Sequence, residues 1–124
     1  MKEPVHRKFD LKKLNLIERM HALMEERKLY LNPKFSIIDL TKLLGTNRTY
    51  VSVYLNEVMG KSFFDFVNEY RLTVAEKLVS ETDLNFSKIA EKSGFNSLCT
   101  FRRAFVKKNK ITPGEYRERY GKQN

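Results

Sequence analysis

The sequence predicts an all-α fold of seven helices. Three observations carry that expectation. Apolar residues recur at intervals of three and four, and no stretch alternates as a strand would. Capping boxes of the form Ser/Thr-x-x-Asp/Glu stand before apolar runs at 36–39, 62–65 and 112–115. Glycines at 45, 60 and 94 close such runs, where a left-handed C-terminal residue is wanted.

Residues 1–10 are polar and charged and read as a linker-like stub. The first helix spans about 11–28, with Leu14, Ile17, His21 and Met24 as its stripe and Leu11, Met20 and Leu23 broadening it. Asn32-Pro33 signals a loop. Ser36 caps a short helix running to Leu44. Asn47 caps the next, about 48–58, with Val51, Tyr54, Leu55 and Val58 turned inward. Ser62 opens a longer helix, about 63–80, whose apolar face is Phe63, Phe66, Val67, Tyr70, Val74 and Leu78. Thr82-Asp83 breaks it. Asn85 caps a short helix through Ser93, with Phe86, Ile89 and Ala90 inward. Residues 97–109 form the sixth helix, packed through Phe101, Ala104 and Phe105. Pro113 takes the first-turn position it favours and starts the last, about 113–120, leaving 121–124 as a tail. Tyr116 and Tyr120 join Phe101 and Phe105 as core aromatics.

The helices repeat in pairs. Ser36 matches Asn85 and Gly45 matches Gly94 at an offset of 49 residues. After one inserted residue the offset becomes 50, and Val51 matches Phe101, Leu55 matches Phe105, Ser62 matches Thr112 and Phe66 matches Tyr116. Each unit, about 36–59 and about 85–109, is a short capped helix, a tight turn and a second helix with core residues at i and i+4. That is the anatomy of a helix-turn-helix, whose second helix can enter a major groove. The helix between them, taken as 18 residues at about 1.5 Å each, spans about 27 Å. With its flanking turns it suits two major-groove faces about 34 Å apart.

Three segments then resemble the DNA-binding domain of the AraC/XylS family of bacterial transcription regulators over about residues 11–120. They are DLTKLLGTNRTYVSVYLNEVMGKSF, YRLTVAEKLV and IAEKSGFNSLCTFRRAFVKKNKITPGEYR. The last carries the family's "IA" helix, Gly-Phe turn, F-x-R-x-F, basic residues and Thr-Pro before Tyr-Arg. The resemblance implies two helix-turn-helix units on one linking helix, reading adjacent major grooves, and RNA polymerase as a further partner. One position departs from it. Lys110 stands where the family has Gly, so either Lys110 is left-handed or Asn109 takes that role.

Candidate contact residues follow from what the apolar stripes leave outward. In the first unit these are Arg48, Thr49, Ser52, Val53 and Asn56. Thr49, Ser52 and Val53 resemble the family's base-facing set and suit thymine methyls or single hydrogen bonds, while Arg48 suits phosphate. In the second unit the set is Leu98, Cys99, Arg102 and Arg103, with Lys107 and Lys108 expected on phosphate. Arginine can grip guanine O6 and N7 with two hydrogen bonds. The bland alternative is a solvated face for the polar residues, and a salt bridge for Arg103. Arg71 and Arg117 resemble positions near the packing of each unit, where structural pairing competes with DNA contact.

Composition bounds the rest. The chain has 124 residues, a net charge of +9 and 41% apolar residues, enough for a core and biased toward a polyanionic partner. The charge is uneven: residues 63–85 carry two Lys and Arg against five Asp and Glu, and residues 86–124 carry ten against three. The single cysteine excludes an internal disulfide and fits the reducing cytoplasm. His6 and His21 have no cysteine cluster for zinc, no Gly-rich phosphate loop is present, and no nucleophile–base pair stands out. The expectation is therefore double-stranded DNA binding without cofactor, metal, membrane or catalysis. A sensor domain N-terminal to this segment is expected from the stub. Two rivals stand against it. A single-strand or RNA module would carry its aromatics outward, and a protein-interaction module would not explain the repeat.

Overall fold

A computed structural model describes residues 4–122, with side chains from Leu16 onward. Among these residues are seven α-helices and no strand: α1 (Pro4–Arg27), α2 (Ile37–Leu44), α3 (Arg48–Tyr54), α4 (Phe63–Glu81), α5 (Phe86–Lys92), α6 (Leu98–Asn109) and α7 (Pro113–Tyr120). A 3-10 turn covers Leu29–Leu31, and a π-turn, Leu55–Met59, extends α3. The chain forms two compact units, Met1–Leu29 with Phe35–Phe64, and Tyr30–Lys34 with Asp65–Asn124.

The first unit departs from expectation at its start. Helix α1 begins at Pro4, not near Leu11, so residues 4–10 of the expected stub are helical; residues 1–3 lie outside the described part. Proline suits a first helical position, and no breaker follows it before Pro33. Met24 and Met20 are buried as expected, and Leu16 joins them; Ile17, His21 and Leu23 are only half-buried, and the side chains of Leu11 and Leu14 lie outside the described ones. Lys28, with φ of 49°, turns the chain out of α1. In α2 both halves of the capping box are made: the Ser36 backbone N–H donates to Asp39, and the Asp39 backbone N–H to Ser36 Oγ. Gly45 is left-handed as expected, with φ of 71°. The Arg19 guanidinium donates to the Leu44 carbonyl at 3.0 Å, satisfying one of the carbonyls that a helix end leaves open.

Val51, Tyr54 and Leu55 are buried, but Val58 is exposed. The π-turn explains that error. A wider turn rotates the residues after it, so an i+3 or i+4 extrapolation past Leu55 points the wrong way.

In the second unit, α4 buries Phe66, Val67, Arg71, Leu72, Ala75 and Val79, whereas Phe63 (whose residue belongs to the first unit), Tyr70, Val74 and Leu78 are half-buried. The row Val67, Arg71, Ala75, Val79 has strict i+4 spacing. A charged residue in the middle hid it from an apolar-pattern reading. Leu72, Ala75 and Val79 pack with Ile89 and Ala90 of α5, Phe95, and Phe101 and Phe105 of α6. Both α6 rings are fully buried, worth about 2–3 kcal/mol each by transfer. Tyr116 of α7 meets Phe105 edge-on at 5.1 Å. Tyr120 does not join this core: it is 59% exposed and touches it only through Tyr116, at 4.8 Å. Thr112 and Glu115 close the α7 capping box, and the Thr112 backbone N–H holds the Glu115 carboxyl below its ordinary range.

Lys110 is itself the left-handed residue, with φ of 67°; Asn109 stays helical. The lysine reaches back, its Nζ donating to the Lys107 carbonyl at 2.9 Å. The side chain thereby covers an open helix-end carbonyl that glycine would leave to water.

Candidate nucleic-acid interface

Each unit holds its second helix by a side-chain cap at one end and an apolar stripe along one face. In the first, the Tyr50 backbone N–H donates to Asn47 Oδ1 at 2.8 Å and fixes the start of α3. With Val51, Tyr54 and Leu55 turned inward, Arg48, Thr49, Ser52, Val53 and Asn56 are all exposed, as expected, though Asn56 sits in the π-turn rather than the regular helix. Val53 and Tyr50 are the large apolar side chains on this exposed surface of α3.

In the second unit the Thr100 backbone N–H donates to Ser97 Oγ at 3.0 Å and starts α6. Phe101 and Phe105 face the core, which leaves Cys99, Arg102 and Arg103 exposed and Leu98 half-buried. One shallow groove is lined by Leu98, Cys99, Arg102, Arg103, Val106 and Lys107. Arg103 Nη2 lies 3.6 Å from Cys99 Sγ. Val106, 39% exposed, belongs to this surface and was missed in the sequence. Its place four residues after Arg102 was the available signal.

The two lysines separate. Lys107 is open, with a loose contact of 3.5 Å to Asp65 across two solvated side chains. Lys108 Nζ instead lies 3.0 and 3.1 Å from the two carboxylate oxygens of Glu76 on α4. Arg71 and Arg117 are resolved as structural. Arg71 Nε donates to the Tyr30 carbonyl at 2.7 Å and Nη2 to the Asn32 carbonyl at 3.0 Å. Burial pushes this guanidinium below its ordinary pKa. Arg117 donates to the carbonyls of Val79 and Leu84 at 3.0 and 2.8 Å and lies over the Phe86 ring. Arg71 thus holds the 30–34 connector, and Arg117 ties the end of α4 to Leu84 ahead of α5.

Among the described residues, no group of three His, Cys, Asp or Glu is placed to hold a metal ion. No described helix is long and apolar enough to cross a membrane.

A family model for a helix-turn-helix domain matches residues 40–119. The chain belongs to the AraC-type helix-turn-helix family. The family is a transcription-regulator DNA-binding domain rather than an enzyme class. It is 32% identical over 104 residues to an uncharacterized HTH-type transcriptional regulator, YtdP, of Bacillus subtilis, covering 84% of this chain and 13% of that protein. This AraC-type domain thus spans a small part of the curated relatives it matches. Among solved structures, the C-terminal domain of the two-component response regulator yesN from Fusobacterium nucleatum superposes with a TM-score of 0.73 at 30% identity, over 83% of this chain and 98% of that one. The DNA-binding domain of AdpA, solved with a target DNA, shares the fold with a TM-score of 0.71 at 20% identity, over 85% of this chain and 91% of that one.

Proposed function

We propose that this AraC-type domain binds double-stranded DNA sequence-specifically, with α3 and α6 each entering a major groove and the two grooves lying next to each other on one duplex. The observation that carries the reading is the pair of outward faces. Two capped helices, each buried through its aromatic or aliphatic side, present chemically different surfaces: Thr49, Ser52 and Val53 on α3, and Arg102 and Arg103 on α6. The first set suits thymine methyls and single hydrogen bonds, and the second suits the paired acceptors of guanine. Arg48, Asn56 and Lys107 border these faces and suit phosphate or base edges. Cys99 and Leu98 add small apolar contact on α6. A single-strand reader built on α6 would present that helix's rings to solvent, yet Phe101 and Phe105 are fully buried.

Selection of binders from a random duplex library tests this. The expected product is a non-palindromic site whose halves differ, with guanine under the second unit and thymine under the first. Tighter binding to single strands or RNA than to any selected duplex would sink the proposal.

A further inference from the structure

Glu76 sits on α4 and is turned toward α6. Its side chain keeps only 17% of its exposure. One oxygen accepts from Asn109 Nδ2 at 2.9 Å, and both oxygens lie within 3.1 Å of Lys108 Nζ. Asn109 Nδ2 also donates to the Phe105 carbonyl at 3.2 Å, so both bonds of the amide nitrogen fix its direction. Tyr116 lies close enough that the Glu76 charge helps raise its phenol pKa, after burial. The carboxylate is therefore pre-placed by a neutral neighbour before the lysine arrives. That separates it from an ordinary surface pair, which loses most of its attraction to solvent and side-chain entropy. The Asp65–Lys107 contact, at 3.5 Å between side chains 47% and 72% exposed, is such an ordinary pair.

A carboxylate that takes a lysine with both oxygens offers it what a DNA phosphate offers. On a duplex the two compete for one ammonium group. We infer that Glu76 is a specificity-determining residue: it withholds Lys108 from phosphate, lowering the sequence-independent attraction of the second unit while leaving the arginines of α6 to the bases. The inference rests on the DNA-binding reading above. It makes a distinction that charge counting cannot. Lys107 and Lys108 are adjacent on a basic helix, but only Lys107 belongs to the phosphate-binding set.

The test measures affinity for a random-sequence duplex as a function of salt, for the wild type, Glu76→Gln, Lys108→Gln and the double variant. Glutamine keeps an acceptor for Asn109 and removes the charge. Counterion release gives a slope of about 0.9 in log affinity against log salt per neutralised phosphate. Glu76→Gln should therefore steepen the slope by up to about 0.9, a further loss of about 3.5-fold between low and fourfold higher salt. It should also bind nonspecific duplex more tightly at low salt, with a smaller ratio of specific to nonspecific affinity. Lys108→Gln alone should leave the slope unchanged, and in the Glu76→Gln background it should erase the gain. Tightening that persists in the double variant reflects lost general repulsion and overturns the inference, as does a slope for Lys108→Gln already lower than wild type. If wild type binds duplex with no salt dependence at all, the DNA-binding reading fails with it, and that result is distinguishable because it needs no variant. Unfolding midpoints taken alongside separate these outcomes from loss of fold.

Discussion

At the scale of single residues, two cations do work that hydropathy does not register. Arg71 is 5% exposed, and its guanidinium serves the Tyr30 and Asn32 carbonyls. Arg71→Met should cost about 2–4 kcal/mol in urea unfolding, since it strips partners from two carbonyls beside a buried face. Arg71→Lys should recover less than half of that, because a point charge on a flexible stem cannot span both acceptors as a planar fork does. Full recovery by lysine would show that charge rather than geometry holds the connector. Lys110 is the second case. At φ of 67° a side chain costs on the order of 1 kcal/mol relative to glycine. Its exposed bond to the Lys107 carbonyl returns a fraction of that. Lys110→Gly should thus raise stability by up to about 1 kcal/mol with helix content unchanged; a fall in the unfolding midpoint would mean the reach-back bond outweighs backbone strain. The departure from glycine at 110 was legible in the sequence. Which residue turned left-handed was not, because Asn109 is the better left-handed former in isolation, and it is held helical by its bonds to Glu76 and Phe105.

At the scale of elements, boundaries marked by local chemistry were the legible ones. Ser36, Asn47, Asn85 and Thr112 each accept from a backbone N–H three residues on, as the sequence indicates. Faces were less legible. The extrapolated stripe failed at Val58, where the helix widens, and at Arg71, where a charge occupies a core row. The outward sets on α3 and α6 were legible because they are the complement of short, well-marked stripes; Val106 was missed for want of extending one set by a turn. Glycines also differ by element. Gly45 and Gly94 both have positive φ, of 71° and 93°. A Cβ on Gly45 would meet nothing within 4 Å, whereas on Gly94 it would lie 2.2 Å from the Tyr30 carbonyl oxygen. The α5–α6 turn lies directly on the connector that Arg71 also grips. Gly45→Ala should cost about 1 kcal/mol, and Gly94→Ala at least about 3 kcal/mol, because backbone must move as well. Equal losses in denaturant titrations would show that the 30–34 connector gives way freely.

At the scale of the whole molecule, the repeat is the organising fact. A chain with one recognition helix needs a second copy and a palindromic site to read two grooves. On the proposed reading this chain carries two such helices, with unlike surfaces, α3 small and α6 arginine-rich. A monomer should therefore protect roughly 15–20 base pairs along one face of the duplex, with unrelated half-sites. Helix α4, through which the chain passes from the first unit into the second, is 19 residues of continuous helix. Inserting about five base pairs between the half-sites turns one of them to the opposite face, since a helical turn is roughly 10 base pairs. Affinity for the inserted site should fall nearly to that for random duplex, while an insertion of about ten base pairs, which restores the face but lengthens the gap by about 34 Å, should fail as well. Because the recognition helices belong to one chain, raising protein concentration should not rescue either site. Tolerance of the five-base-pair insertion, or rescue by concentration with two molecules bound, would mean that the two units read DNA independently, and the doubled helix-turn-helix would then be two readers on a flexible join.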